Sequence, residues 1–325
     1  GAAETYAVRL GDDMHFFIYL QYLFFGQWDA LRSYVHALGL EIIGDLPIYV
    51  PYDSCDVWAN PSLFQLDETG LPTGVAGCPP DYFSADGQLW GNPLYDWAYH
   101  KRTNYAWWVR RVRHALSIYD ILRIDHFRGF DTYWAIPAGD KNARGGKWEQ
   151  GPGMDLFRAL RTALGDLPIV AEDLGEIFDS VRVLLAESGF PGMKVLQFSL
   201  NGTDSLDLPH NYPAHCVAYP GTHDNNTLRG WLENETTPAQ HKQAKAYFAL
   251  TEQEGEITGL LRGVLASPAE LAIVTMADWL EKGSEARMNL PGTIGGNWAW
   301  RMKPGAATED VARHLREMNQ EYQRI

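Results

Sequence analysis

Short apolar runs alternate with segments of helical periodicity along most of the chain. Runs of this length with no polar alternation are typical of strands that are buried on both faces of a parallel sheet. Helices that alternate with such strands indicate an α/β fold. About six strands are predicted, at residues 40–45, 121–125, 168–172, 193–198, 216–219 and 271–276.

Several of these runs end on a polar residue. Asp45, Asp125 and Glu172 close three of them, and His223 with Asp224 follows a fourth. A (β/α)₈ barrel gathers its active site at the carboxyl ends of its strands, whereas a doubly wound sheet gathers it at one crevice. No Gly-rich phosphate fingerprint follows any strand, so the pattern favours a (β/α)₈ TIM barrel with long inserted loops and helices.

The strand count sets the expected domain organisation. A closed barrel needs eight strands, so the first two are expected to precede residue 1, and the chain starts with Gly1 rather than Met. We therefore predict one N-terminally truncated catalytic barrel domain over residues 1–325. Two long loops, at about 47–95 and 138–153, are predicted as insertions, because loops of this length are usually functional. The most apolar stretch, 14–25, predicts a buried helix rather than a membrane span.

Composition narrows the class of partner. The formal net charge of −14 opposes binding to nucleic acid or to an anionic membrane, whereas a neutral sugar is not disfavoured. The 12 Trp and 16 Tyr residues could stack on sugar rings or fill a core, so they decide nothing alone. Three cysteines without a metal-binding spacing indicate a reduced, cytoplasmic protein, with a plastid as an alternative.

The segment Arg123-Ile124-Asp125 is the first candidate for chemistry. Residues two apart on a strand face the same side, so Arg123 and Asp125 are neighbours. A nearby guanidinium keeps a carboxylate ionised, which suits a nucleophile. An ordinary salt bridge at the end of a strand is an equally good interpretation of these two residues.

Two further acidic positions follow apolar strands. Glu172 closes a strand in surroundings that raise a carboxyl pKa, as a general acid requires, although Glu172 or Asp173 could instead cap the next helix. His223 and Asp224 could bind substrate hydroxyls or cap a helix. A nucleophilic triad or a metal site there has no supporting Ser or ligand motif.

The loop at 79–93 contains several aromatic residues that could form a platform for a sugar ring. Its residues predicted to contact sugar are Asp81, Tyr82, Phe83, Trp90 and Asn92. An aromatic-pinned surface loop without a binding role is the alternative.

The ordered set of motifs resembles the amylomaltases, the 4-α-glucanotransferases of glycoside hydrolase family 77. The segments that carry the resemblance are Gly44-Asp45-Leu46-Pro47-Ile48-Tyr49-Val50, Pro79-Pro80-Asp81-Tyr82-Phe83-Ser84, Arg123-Ile124-Asp125-His126-Phe127-Arg128-Gly129, 148–153, Ala171-Glu172-Asp173-Leu174-Gly175, Leu208-Pro209-His210-Asn211-Tyr212-Pro213, Gly221-Thr222-His223-Asp224-Asn225, Asn289-Leu290-Pro291-Gly292-Thr293 and Asn297-Trp298. Each motif alone is weak, but their common order from about residue 14 onward is specific.

The resemblance implies a retaining mechanism on α-1,4-glucans, without a cofactor or metal. By motif position, Asp125 matches the nucleophile, Glu172 the acid/base and Asp224 the transition-state stabiliser. The residues that match substrate-binding or supporting positions are Asp45, Arg123, His126, His223 and Asn297, and 81–83 match a loop that overhangs the acceptor site. The implied partners are maltooligosaccharides, glucans derived from starch or glycogen, and a glucose acceptor.

The chain departs from this family pattern in three places. The longer N-terminal region that the family usually carries is absent, Asn201-Gly202 stands where an Asp-Gly pair is expected, and Asp86 replaces an expected Thr or Glu. Two other functions compete with transfer: hydrolysis of α-glucans, as in the related amylase group, and glucan binding by an inactive barrel. An overhanging loop favours transfer because it excludes water, and the three carboxylates argue against an inactive barrel.

Overall fold

The computed structural model describes residues 2–80, 84–175, 177–202 and 205–325 of the chain. The helices are, in chain order, α1 Ala2–Arg9, α2 Gly11–Ala37, α3 Cys55–Ala59, α4 Trp97–Arg102, α5 Ala106–Ile118, α6 Met154–Leu164, α7 Asp179–Ser188, α8 Leu228–Asn234, α9 Pro238–Tyr247, α10 Glu256–Leu265, α11 Met276–Trp279 and α12 Glu309–Glu321. The strands are β1 Ile43–Leu46, β2 Gly74–Cys78, β3 Gln88–Pro93, β4 Ile121–Ile124, β5 Thr132–Pro137, β6 Lys147–Gln150, β7 Ile169–Ala171, β8 Gly192–Val195, β9 Cys216–Tyr219 and β10 Leu271–Ala272.

Six parallel strands lie where the apolar runs predict them. They form two three-stranded sheets, ordered β1-β4-β7 and β10-β9-β8. The backbone amide of Ala171 donates to the carbonyl of Pro191 over 2.9 Å, so the end of β7 is bonded to the residue that precedes β8. Within the described ranges these six strands do not close into a barrel, and the closed eight-stranded barrel stays a prediction.

Strands β4, β7, β8 and β9 are mostly buried, and helices cover them on one side. Leu122 and Ile124 of β4 are almost fully buried, and they belong to a core that also includes Trp108 of α5 and Phe157 of α6. A second core joins β9 to α8 and α10. This arrangement confirms an α/β fold of the kind found in glycoside hydrolases, with apolar strands beneath a helical layer.

The two predicted insertions are not simple loops. Strands β2 and β3 of the first insertion and β6 of the second join β5 in a four-stranded antiparallel sheet ordered β3-β2-β5-β6, in which β2 and β6 pair with β5 and β3 pairs with β2. An ion pair also connects the two insertions, because Nε of Arg144 lies 2.8 Å from Oδ1 of Asp86. These strands contain Gly, Pro, Trp and polar residues instead of a continuous apolar run, so pairing with distant strands decides their conformation.

Other boundaries also differ from the sequence-based prediction. The strand expected at 271–276 ends at Ala272, because Thr275 caps α11 by accepting a hydrogen bond from the amide of Asp278 over 3.1 Å. Further along the chain, helices α9 and α10 are separated at 248–255.

Helix α2 is exposed, which contradicts the prediction of a buried helix at 14–25. It has no buried residue, and Phe16 and Phe17 are 57% and 64% exposed. Its polar contacts come from its second half, where Trp28 donates to the carbonyl of Ile118 and Arg32 pairs with Asp120. Within the described residues nothing covers the side chains of Phe16 and Phe17. No helix of the described residues is long and apolar enough to span a membrane.

Candidate active site

One guanidinium joins two carboxylates at the carboxyl ends of β1 and β4. The two strands are parallel neighbours, with Asp45 directly opposite Arg123. Nη1 of Arg123 lies 2.7 Å from each carboxylate oxygen of Asp45 and 3.2 Å from Oδ1 of Asp125. Arg123 is 8% exposed, so its charge is compensated by these two acids rather than by water. The prediction that Arg123 and Asp125 lie side by side is confirmed.

Glu172 is fixed immediately beyond β7 by two backbone amides. Its Oε2 accepts a hydrogen bond from the amide of His126 over 2.7 Å, and its Oε1 accepts one from the amide of Leu174 over 2.9 Å. The side chain therefore points to the end of the neighbouring strand β4. It does not serve as the cap of the next helix, since α7 begins only at Asp179.

The environment of Glu172 raises its pKa to about 7, first by burial and second by the negative charge of Asp125. Arg123 and the two backbone hydrogen bonds oppose this rise. A carboxyl group with this pKa can hold and release a proton near neutrality, as a general acid and base must.

The pKa of Asp125 depends on a different set of interactions from that of Glu172. The pKa of Asp125 is raised above its ordinary value, mainly by burial, while the charge of Arg123 and its direct hydrogen bond oppose the rise and stabilise the ionised form. Glu172 has no such direct bond to a cation. The pair therefore combines a carboxylate held by a guanidinium with a carboxyl group that can be protonated, and these are the two states that a nucleophile and an acid require.

His126 connects this centre to the antiparallel sheet. Its backbone adopts φ 51°, in the left-handed region, which turns the chain sharply after Asp125. Its ring meets Trp90 of β3 edge-on, with 4.9 Å between centroids. Burial lowers the pKa of His126 to about 3, so the imidazole is neutral. Trp90 is 37% exposed at this position, and Asn92, two residues further along β3, is partly buried.

Asp224 lies on a turn beyond β9. The turn is closed by Asn225, whose Oδ1 accepts hydrogen bonds from the backbone amide and the hydroxyl of Thr222, both over 2.9 Å. Nε2 of His223 lies 3.6 Å from Oδ2 of Asp224. Burial and the charge of Asp45 raise the pKa of Asp125, Arg123 opposes them, and the negative charge of Asp224 adds to the rise, so Asp224 acts electrostatically on the same acidic centre.

The segment after α11 adds residues to which sequence reasoning assigned no role. The ring of Trp298 lies 5.1 Å from that of His223 and is 53% exposed. Asn289 donates to Oδ1 of Asp224 over 2.6 Å. Both belong to motifs noted in the sequence, but their spacing gave no sign of a contact with His223 and Asp224.

The structure places Asn297 inside its own loop. Its Oδ1 accepts a hydrogen bond from the amide of Leu290 over 3.0 Å, and its Nδ2 donates to Oγ1 of Thr293 over 3.1 Å. Contact between Asn297 and a sugar stays a prediction. Asp81, Tyr82 and Phe83 lie outside the described residues.

Two parallel sheets present Asp125, Glu172 and Asp224 beyond the carboxyl ends of their strands, an α/β arrangement of the kind found in glycoside hydrolases. The chain belongs to glycoside hydrolase family 77, described as 4-alpha-glucanotransferase, which matches residues 1–308.

Curated relatives and a solved structure agree with this assignment. The 4-alpha-glucanotransferase of Clostridium butyricum is 48% identical over 99% of this chain and 66% of the relative, and that of Streptococcus pneumoniae is 49% identical over 100% and 64%. The amylomaltase of Streptococcus agalactiae, solved in complex with acarbose, superposes with a TM-score of 0.97 at 43% identity, over 99% of this chain and 65% of that one. The chain thus spans slightly less than two thirds of these relatives.

Proposed function

We propose that this protein is a retaining 4-α-glucanotransferase that cleaves α-1,4-glucans and transfers the glucanosyl unit to the 4-hydroxyl of a glucose or maltodextrin acceptor. The observation that carries the proposal is the pairing of Arg123-bound Asp125 with Glu172, whose pKa is raised to about 7. Membership of family 77 supports the same activity.

In the first step, a carboxylate oxygen of Asp125 attacks the anomeric carbon. Protonated Glu172 gives its proton to the departing glycosidic oxygen, so the bond to the leaving sugar breaks as the bond to Asp125 forms. In the second step, Glu172 takes the proton of an acceptor hydroxyl, which attacks the same carbon and releases Asp125. Asp224 stabilises the positive charge that develops on the sugar in both steps.

Sugar contacts are proposed around this centre. Asp45, His126, His223, Trp90 and Asn92 occupy or border the acidic centre and offer hydrogen bonds or an aromatic surface. Exclusion of water on the acceptor side would let a sugar compete as the acceptor. A sugar contact from Asn297 would require it to share or release its loop hydrogen bonds.

We further propose that the six parallel strands belong to a (β/α)₈ barrel within one catalytic domain, because the order and direction of the strands suit that fold. Cys55, Cys78 and Cys216 form no disulfide bond with one another, which suits a reducing compartment such as the cytoplasm or a plastid.

Incubation with maltotriose tests the function directly. A transferase yields glucose together with maltodextrins longer than maltotriose, while the total number of reducing ends stays constant. A hydrolase instead increases the number of reducing ends without forming longer products. A protein that only binds glucan leaves maltotriose unchanged. Chromatography of the products together with a reducing-end assay separates these outcomes.

A further inference from the structure

Asp224 needs external support because it lies on a turn and its side chain is 43% exposed. That support comes from a segment that follows it by more than sixty residues. Nδ2 of Asn289 donates to Oδ1 of Asp224 over 2.6 Å, and the backbone amide of Asn289 donates to the carbonyl of His223 over 3.0 Å. Asn289 therefore contacts both the main chain of the turn and the carboxylate that the turn carries.

Arg287 supports the contact between Asn289 and Asp224 through hydrogen bonds to the backbone of both residues. Its Nη2 donates to the backbone carbonyl of Asp224 over 2.8 Å, and its Nε donates to the carbonyl of Asn289 over 2.9 Å. Its third nitrogen, Nη1, lies 3.2 Å from Oε1 of Glu235, which also accepts a hydrogen bond from Asn226. The side chain is 22% exposed, so this planar fork is partly shielded from water.

We infer that Arg287 and Asn289 are positioning residues that fix the orientation of the Asp224 carboxylate toward the reacting sugar. The inference rests on the proposed function, in which Asp224 stabilises the transition state. Stabilisation of developing charge requires a carboxylate that is already oriented when the charge appears. A side chain that is free to rotate would lose part of this effect without any loss of substrate binding.

The chemistry of both side chains suits this role. The amide of Asn289 donates a hydrogen bond without adding a charge beside the reacting sugar. The rigid guanidinium of Arg287 donates in three directions at once, to two backbone carbonyls and one carboxylate. A lysine keeps the positive charge but cannot make the same set of bonds, because its ammonium group is a single point on a flexible stem.

Steady-state kinetics of the full-length protein on maltotriose tests the inference with Asn289→Ala, Asn289→Asp and Arg287→Lys. We expect each variant to lower kcat by about 10- to 100-fold with KM within about twofold of the unaltered protein, the effect of a lost charge-assisted hydrogen bond. Asn289→Asp is nearly isosteric but places a carboxylate against Asp224. It should therefore be at least as damaging as Asn289→Ala, which a role in shape or packing alone would not produce.

Two substitutions serve as matched controls. Arg262 also forks between a glutamate and a backbone carbonyl, those of Glu254 and Phe248, so Arg262→Lys removes a comparable bridge outside the site. Asn319 donates to the carbonyl of Leu315 within α12, so Asn319→Ala removes a comparable amide. Both controls should keep kcat.

The possible outcomes separate this inference from the proposed function. Unaltered kcat in folded Asn289→Ala and Asn289→Asp variants would overturn the inference, and so would a rise in KM alone, which indicates direct contact with substrate. If Arg287→Lys fails to fold, the two Asn289 variants still decide the matter. Failure of the unaltered protein to transfer glucosyl units would instead contradict the proposed function, and the inference would fail with it.

Discussion

Glu172 and His126 are joined by a hydrogen bond from the backbone amide of His126 to Oε2 of Glu172, 2.7 Å long. This bond ties the proposed acid/base at the end of β7 to the residue that directly follows the proposed nucleophile on β4. The proposed nucleophile and the proposed acid/base are therefore held by one local network, in which His126 adopts a left-handed backbone conformation.

Glu172→Gln should reduce transfer from maltotriose by about 100- to 10,000-fold, the range contributed by a general acid. Its effect should be much smaller for the first step with a maltosyl fluoride, because fluoride departs without needing a proton. Release of fluoride in a single turnover measures that step. Glu187→Gln, an exposed change on α7, is the control and should keep full activity. Equal losses on both substrates would contradict the role of acid.

Asp125→Asn should abolish reaction with maltotriose and with maltosyl fluoride alike, because no other group in the site can form the covalent intermediate. The residual rate of each substrate is compared with that of the Glu172→Gln variant. Circular dichroism and thermal unfolding should show that the protein remains folded. Fluoride release at the rate of the unaltered protein would show that another residue is the nucleophile.

The pH dependence of kcat/KM should show a basic limb near pH 7. Glu172 must be protonated for the first step, and its pKa in the folded protein is raised to about 7, so activity falls as the pH rises through this value. The residual activity of Glu172→Gln on maltosyl fluoride should lack this limb, because glutamine does not titrate. Persistence of the limb in that variant would assign it to another group.

Arg123→Met should shift the pH profile to higher values and lower kcat/KM. The charge of Arg123 lowers the pKa of both Asp125 and Glu172, and methionine retains much of the length of the side chain without the charge. The acidic limb, set by ionisation of Asp125, and the basic limb, set by Glu172, should therefore both move to higher pH. Arg123 is buried but the side chains of Asp45 and Asp125 are 43% and 40% exposed, so the loss of stability should be smaller than that of breaking a fully buried ion pair, and denaturant unfolding would measure it. Unshifted limbs would contradict electrostatic control by Arg123.

Trp90→Ala should shift the balance from transfer toward hydrolysis and raise KM for the sugar acceptor. Trp90 is 37% exposed beside His126, where its indole can cover an acceptor and displace water. Leu89→Ala is the matched control, since Leu89 is 40% exposed on the same strand. The measured quantity is the ratio of reducing ends released to glucosyl units transferred. An unchanged ratio in Trp90→Ala would remove Trp90 from the acceptor side.

Local pattern in the sequence was enough to locate the central strands and the acids at their ends. Apolar runs that close on Asp45, Asp125 and Glu172 follow from the burial of both faces of a parallel sheet and from the gathering of polar groups at its carboxyl edge. The proximity of Arg123 to Asp125 followed from the two-residue repeat of a strand. The strand positions and the proximity of Arg123 to Asp125 depend only on residues that are close together in the sequence, so they could be predicted without the tertiary structure.

Tertiary structure alone decided the contacts between distant segments. The pairing of β2, β3, β5 and β6, the meeting of Trp90 with His126, and the bond from Asn289 to Asp224 join residues far apart in the chain. The exposure of α2 is also a tertiary property, because the apolar pattern of a helix indicates a tendency to be buried but does not identify the surface that would cover it. Strand pairing and side-chain orientation depend on which surfaces meet after folding. No local periodicity contains that information, so the support of Asp224 became visible only in the folded chain.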